Sequence, residues 1–198
     1  MLLLAFTDVH MRKSSLDKIK EKAIKHKPDF LISCGDLSNF GNGLEKAAKF
    51  LNDLKIKTLM IPSNHESPEQ VKKVCEKYEN LIYLHKGMYE HEDFVFFGFG
   101  NEGFSYVDED FEPIAKQFKK DYNKNKILIF ITHAPIYNTK LDKLEMGHRG
   151  SKSSRKFIEE VQPFITLCGH FHETFGKQDK INQTTIINPG PDGIIIEI

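Results

Sequence analysis

Five apolar runs in this chain, each about as long as a buried strand, stop at side chains that can bind a metal ion. Leu2–Phe6 leads to Asp8 and His10, Phe30–Ser33 to Gly35-Asp36, Thr58–Ile61 to Asn64-His65, Ile127–Thr132 to His133, and the run from Phe164 to Gly169-His170-Phe171-His172. A strand that is apolar at consecutive positions is buried on both faces and needs a layer above and below its sheet. The stretches between the runs provide such layers. Leu16, Ile19, Ala23 and Ile24, and then Leu44, Ala47, Ala48, Leu51 and Leu54, recur at helical spacing between charges. Strands alternating with helices predict an α/β fold, in which ligands gather beyond the carboxyl ends of the strands. All the metal-capable groups fall there, so one shared site is expected.

Further along, Ser67 is placed as the N-cap of a helix with Pro68 in its first turn, running to about Tyr78. Leu81–Leu84, Met88–Tyr89 and Phe94–Phe99 then read as strands with no helix between them. Helical patterns return at Glu112–Tyr122 and Ser151–Glu160. Thr184–Ile187 and Ile194–Ile198, separated by Asn188-Pro189-Gly190-Pro191-Asp192-Gly193, read as an antiparallel meander. This later group of strands predicts a second sheet packed on the first. At 198 residues the chain suits one sizeable core and is short for two, so a single domain over 1–198 is expected. The long polar connection Ala134–Gly150, with the loops after Gly41 and Gly100, is where specificity is expected to reside.

Composition removes several classes of function. Lys plus Arg and Asp plus Glu each number 28, and a net charge of zero argues against non-specific nucleic-acid binding. No apolar stretch approaches the ~20 residues that cross a bilayer. Met1–Phe6 runs directly into Thr7-Asp8 without a basic leader and reads as a strand, not a signal peptide, so a cytoplasmic location is expected. Cys34, Cys75 and Cys168 are an odd set without framework spacing, which agrees with that compartment. Cys34 and Cys168, each before a glycine, read as small buried apolar side chains.

Alternate side chains of an extended segment share a face, so His170 and His172 should point the same way. A histidine pair alone is more often solvated than metallated, and the other strand ends decide the matter. Asp8, His10, Asp36, Asn64, His133, His170 and His172 are all oxygen or nitrogen donors, whereas a structural zinc site favours paired thiolates. Seven donors are too many for one catalytic ion. They suit two ions about 3.5–4 Å apart that share a carboxylate and clamp the attacking and leaving oxygens of a phosphoryl group. Asp36 is the candidate bridge, because Gly35 allows a tight turn before it. Asn64 is a neutral donor that limits negative charge facing an anionic substrate. His65, next to Asn64, should be directed elsewhere and be free to donate a proton or hydrogen bond.

Asp8-Val9-His10, Gly35-Asp36-Leu37, Asn64-His65-Glu66, His133-Ala134-Pro135 and Gly169-His170-Phe171-His172, in this order over nearly the whole chain, resemble the signature of the calcineurin-like metallophosphoesterase superfamily. The resemblance implies a four-layer αββα arrangement, two β-sheets packed as a sandwich flanked by helices. It implies two divalent ions, Mn²⁺ first among Fe, Zn, Ni and Co. One would be held by Asp8, His10 and His172, the other by Asn64, His133 and His170, with Asp36 bridging. It also implies attack of a metal-bound hydroxide on a small phosphorylated substrate, phosphodiester ahead of phosphomonoester, with His65 stabilising or protonating the leaving oxygen. One position departs from the family: Ser63 stands where a glycine usually precedes Asn-His, at ~1 kcal/mol of strain if that position needs φ > 0.

In Gly147-His148-Arg149-Gly150, His148 or Arg149 is a candidate phosphate contact, set beside the reading of a plain surface loop. His26, His85 and His91 lie outside the motifs and read as ordinary surface residues. Two other functions compete. A protein-interaction scaffold like one retromer subunit lacks the catalytic histidine, and His65 argues against it. A nuclease of the same superfamily carries capping segments for which 198 uncharged-on-balance residues leave little room.

Overall fold

The computed structural model describes residues 1–100 and 103–198. Asn101 and Glu102, at the head of the loop expected after Gly100, lie outside the described residues. The first half alternates as the periodicity requires: β1 (Leu2–Phe6), α1 (Lys13–His26), β2 (Phe30–Ser33), α2 (Leu44–Asp53), β3 (Lys57–Met60), α3 (Pro68–Cys75) and β4 (Leu81–Tyr83). The second half is β5 (Gly87–His91), β6 (Phe94–Phe99), α4 (Phe111–Asp121), β7 (Ile127–Thr132), β8 (Lys143–Leu144), β9 (Gly147–His148), α5 (Lys152–Val161), β10 (Ile165–Leu167), β11 (Gln178–Ile181), β12 (Thr184–Ile187) and β13 (Ile194–Glu197). No helix among the described residues is long and apolar enough to cross a membrane.

The strands form two large sheets, ordered β13-β1-β2-β3-β4 and β11-β12-β10-β7-β6-β5. Within the first, β1 to β4 are parallel. Within the second, β6, β7, β10 and β12 are parallel, with β5 and β11 antiparallel at the edges. Side chains alternate across each strand, and this divides the core into three layers. Leu4 and Phe6 face out against Ile19, Ala47, Leu51 and Val71 of α1 to α3. Leu3, Ala5 and Ile32 face in, against Phe96, Ile129 and Leu167 of the second sheet. On the far side Phe97 and Phe130 meet Phe111, Phe118 and Phe157 of α4 and α5, with Phe97 and Phe118 stacked at 4.1 Å. The arrangement is the expected αββα sandwich.

Local chemistry accounts for the helix entry nearest the strand ends. Ser67 accepts from the Gln70 N–H, and the Gln70 side chain accepts from the Ser67 N–H, a reciprocal cap with Pro68 in the first turn.

The chain terminus does not fold as a meander. β12 lies parallel to β10 in the second sheet, while β13 crosses to the first sheet and pairs antiparallel with β1. The connection between them is held to α1, where Asp192 accepts from Ser15 Oγ at 2.9 Å and Lys18 Nζ at 2.6 Å. The partner of β12 is β11, whose mostly exposed sequence Gln-Asp-Lys-Ile lacks an apolar pattern. The Ala134–Gly150 connection also has structure of its own, the short β8–β9 hairpin.

Candidate metal centre

The carboxyl ends of β1, β2, β3, β7 and β10 converge on one place, and the backbone there is contorted. Asp8, His10, Asp36 and His170 have φ of 53°, 48°, 51° and 72°. Left-handed conformations are uncommon for non-glycine residues and concentrate at functional sites. Backbone hydrogen bonds zip the turn after β1 to the turn after β2: Asp8 N–H donates to Gly35 O, and His10 N–H to Asp36 O. Two glycines permit this closeness. A Cβ on Gly35 would lie 2.6 Å from Ser63 Cβ, and one on Gly169 would collide with Thr7 Oγ1 and approach Asp8 Oδ2 to 2.7 Å.

Asp8 is fully buried. Its Oδ2 accepts from Thr7 Oγ1 at 2.7 Å and from His170 N–H at 3.0 Å. Its Oδ1 has no hydrogen-bond partner among the described residues, although His172 Nε2 stands 3.4 Å and His10 Nε2 3.9 Å away. Asp36 lies between two sets of groups. Its Oδ1 accepts from His65 N–H at 3.2 Å and is 3.6 Å from His133 Nε2, while its Oδ2 is 3.6 Å from His10 Nε2 and 3.8 Å from His65 Nε2.

The far side of each imidazole decides what its near side can do. His133 Nδ1 donates to Cys34 O at 2.8 Å, and His10 Nδ1 to Ser38 O at 3.3 Å. In a neutral ring each Nε2 is then a lone-pair acceptor, and both are aimed at further acceptors: Asn64 Oδ1, 2.9 Å from His133 Nε2, and the carboxylates of Asp8 and Asp36. Histidines that ligate metals are oriented by such carbonyl contacts. Converging acceptors around a buried orphan carboxylate oxygen fit a cation, so the donor set matches the group that the resemblance implies. Three clusters have ligand atoms within 4.8 Å of one another: Asp8 with His10 and His172, His10 with Asp36 and His65, and Asp8 with Asp36 and His133. His170 is in none of the three clusters; its ring lies 5.2 Å from that of His133.

Protonation follows from the same surroundings. Burial pushes the Asp8 carboxyl up, but His172, His133, Thr7 and the His170 N–H together outweigh it and hold the pKa at about 2. Burial lowers His170 to about 4, with His133 adding to the effect, and lowers His10 against the pull of Asp36 and Asp8. These two rings are therefore neutral near pH 7, the form that binds metal. Contact with Asp8 raises His172 instead, so proton and metal compete for this ring more than for the other two.

The route by which His170 and His172 reach the site, and the direction of His65, differ from the sequence expectation for one reason. β10 stops at Leu167, His170 is left-handed and His172 opens a 3-10 turn, so strand alternation does not apply, and the two imidazoles reach the centre from separate turns. Likewise His65 lies beyond β3 in a bend and its Nε2 turns inward toward Asp36, not away from it.

Ser63 stays out of the left-handed region, so the strain allowed for there does not arise. It is nearly buried, and its Oγ accepts from Asp36 N–H at 2.8 Å while donating to Glu66 Oε2 at 2.7 Å. Glu66 Oε1 in turn accepts from both N–H and Oγ of Ser38. This buried chain of contacts holds the Asp36 turn, and no periodicity in the sequence signals it.

His148 is not among the clustered ligand atoms. Its Nδ1 lies 2.6 Å from Oδ1 of fully buried Asp142, which also accepts backbone N–H groups from Asn138, Thr139 and Gly150 and so organises the long connection. Arg149 donates to Tyr106 Oη at 2.7 Å.

Beside Asn64 opens a cleft of about 620 Å³ lined by residues that include Ser63, Glu66, Lys86, Phe99, Val107 and Asp110. His85 also lines it, and this residue is not an ordinary surface histidine: it is half-buried, and its Nδ1 accepts from Gly100 N–H at 3.0 Å. Burial, aided by Lys86, lowers its pKa from 6.5 to about 4. A base whose folded-state pKa is depressed contributes stability that is complete above about pH 6.5 and is lost as pH falls toward 4. Since part of the ring is open to screening, the contribution is ~1–2 kcal/mol. His85→Asn, which keeps an acceptor for Gly100, should therefore narrow the stability difference between pH 7 and pH 4 by about that amount in urea titrations. An unchanged difference would show that His85 titrates normally.

Residues 1–174 match the family model for calcineurin-like phosphoesterases. The chain is 30% identical over 206 aligned residues to an uncharacterized protein of Methanocaldococcus jannaschii, an alignment covering 99% of this chain and 91% of that one. It is 28% identical over 185 residues to a protein of Arcobacter nitrofigilis named probable glycerophosphodiester phosphodiesterase GpdQ, covering 85% of this chain and 66% of that one. Among solved structures, TT1561 of Thermus thermophilus superposes with a TM-score of 0.78 at 14% identity, over 96% of this chain and 90% of that one. A dimetal phosphatase from Danio rerio gives 0.64 at 10% identity, over 94% and 86%. At those identities the structures share the fold alone, whereas the family model spans every strand end that meets at Asp36. The chain belongs to the calcineurin-like phosphoesterase family.

Proposed function

We propose that this protein is a metal-dependent phosphodiesterase in which Asp8, His10 and His172 hold one divalent ion, Asn64, His133 and His170 hold a second, and Asp36 lies between them. The observation that carries the reading is Asp8 Oδ1, a buried carboxylate oxygen without a hydrogen-bond partner among the described residues, faced by imidazole nitrogens. Mn²⁺ is the first ion to try. When bound, such ions supply Lewis acidity toward a phosphoryl oxygen and acidify water.

The chain's own residues do the remaining work. Ser63 Oγ holds the Asp36 backbone N–H, and the His65 N–H donates to the Asp36 carboxylate. Asn64, as a neutral donor, avoids adding negative charge next to an anionic substrate. The Phe40 N–H donates to His65 Nδ1 at 3.3 Å, which in the neutral ring leaves the N–H on Nε2, facing the centre, where it can hydrogen-bond to the leaving oxygen and stabilise its developing charge.

Charge supports a diester over a monoester. Among the described residues the cleft beside Asn64 is lined by Glu66, Asp108, Glu109 and Asp110, with Lys86 paired to Asp110, and this acidic character disfavours a dianionic monoester more than a monoanionic diester. The named Arcobacter nitrofigilis relative points the same way. With Mn²⁺ added, kcat/KM for bis(p-nitrophenyl) phosphate should exceed that for p-nitrophenyl phosphate by about tenfold or more. Faster monoester turnover would reverse the preference, and no turnover of any phosphoester would leave a metal-binding scaffold.

A further inference from the structure

Two phenylalanines stand where folding does not need them. Phe40 is 78% exposed and Phe104 69%, and neither belongs to the apolar clusters that build the three core layers. Isolated exposed apolar residues are ordinary, and Ile24 and Met88 are examples here. What distinguishes these two is where their rings lie. Phe40 stacks on His65, with centroids 3.9 Å apart and planes at 23°. Phe104 meets His170 edge-on at 4.6 Å and 85°. Phe40 is also left-handed, with φ 51°, in a turn closed by the Asn39–Asn42 bridge. A strained backbone that presents an exposed aromatic ring to a reactive histidine is explained by binding better than by stability.

We propose that Phe40 and Phe104 determine specificity by seating a planar aromatic substituent of the phosphodiester, an aryl group or a nucleobase. The inference rests on the phosphodiesterase reading and adds to it the class of alcohol. On that reading the leaving oxygen faces His65 Nε2, so the group it carries lies alongside that ring. The surface it meets there is Phe40, stacked on one side of His65 and open to solvent over most of its area. A flat π-system gains contact with such a ring, whereas a hydrated polyol gains little. Stacking of a base on an aromatic side chain changes binding by roughly 5- to 150-fold on alanine substitution.

The test compares Phe40→Ala with the parent chain, both loaded with Mn²⁺, on bis(p-nitrophenyl) phosphate, adenosine 3′,5′-cyclic phosphate and glycerophosphoethanolamine. Taking the variant-to-parent ratio for each substrate cancels differences in leaving-group acidity. Expected is a loss in kcat/KM of roughly 10-fold or more, mostly in KM, on one or both aromatic diesters, and under about threefold on the glycerol diester. Loss on the nitrophenyl diester alone assigns an aryl group, and loss on the cyclic nucleotide assigns the base. Phe104→Ala should act in the same direction, and Phe40→Trp should keep the discrimination. The chain has no tryptophan, so Phe40→Trp also places a single tryptophan at the seat, whose emission is separable from that of the six tyrosines and which adenosine monophosphate should quench and glycerol phosphate should not. An equal loss on all three substrates, or none, would overturn the inference and leave Phe40 as a prop for His65. A parent chain inactive on all three would remove the phosphodiesterase reading itself.

Discussion

If two ions share Asp36 as proposed, Asp36→Asn should lower metal occupancy at both positions together and reduce turnover by about 10³-fold or more. The carboxylate is buried between two sets of donors, with Oδ1 toward His133 and Oδ2 toward His10 and His65, so loss of its charge is felt on both sides. Removing even an outer-shell partner of a metal ligand typically weakens affinity about 10- to 100-fold, and a shared ligand should exceed that. The fold should survive the change, since asparagine enters the left-handed region as readily as aspartate and Asp36 has φ 51°. The Ser63 Oγ contact is made to the backbone N–H and is retained. Asp8→Asn, by contrast, should empty mainly the position shared with His10 and His172. Metal content after dialysis, with titration of Mn²⁺ into the apo variants, distinguishes the two. Asp8 and Asp36 fall together in one cluster with His133, so the opposite pattern is a real alternative and would make Asp8 the bridge.

Much of this site was legible in the sequence because burial leaves a periodic record. Runs such as Ile127–Thr132 are apolar on both faces, and a doubly covered strand that ends in His133 can place that side chain only at the sheet's carboxyl edge. Long-range partnership leaves no such record. Nothing in Ile194–Glu197 shows that it pairs with β1 and not with its near neighbour β12, because both partners offer the same apolar face. β11 carries no signal because an exposed edge strand need not alternate. The same limit applies within the centre. Strand alternation has no force past the ends of β3 and β10, in the bends and turns that carry His65 and the His170–His172 pair, which is why the direction expected for His65 fails and the pair reaches the centre by turns instead of along a strand.

The supporting contacts are invisible in the sequence for a different reason, since they depend on atoms that carry no side-chain identity. The carbonyl oxygens of Cys34 and Ser38 orient His133 and His10, and any residue could supply them. Ser63, which reads as a strained substitute for glycine, is a hydrogen-bonding link between the Asp36 backbone and Glu66. Asp142 is one polar residue in a polar loop as far as the sequence goes, yet three backbone N–H groups and His148 converge on it.

His65→Ala should keep both metals and lose about 10²- to 10⁴-fold in turnover, the contribution typical of a positioned proton donor. The Phe40 N–H holds Nδ1 as an acceptor and so assigns the proton to Nε2, which lies 3.8 Å from Asp36 Oδ2 at the mouth of the centre. A donor placed there assists departure of a poor leaving group far more than a good one. The loss should therefore be smallest for nitrophenol esters and grow as the alcohol becomes less acidic, so that log kcat against leaving-group pKa falls more steeply in the variant than in the parent. The competing assignment is specific, because His65 also forms a cluster with His10 and Asp36 whose ligand atoms lie within 4.8 Å of one another. A variant that loses one equivalent of Mn²⁺ would make His65 a ligand. One that keeps its metals and the parent's slope would remove the imidazole from stabilising the leaving oxygen, leaving the His65 backbone N–H to Asp36 as that residue's part in the site.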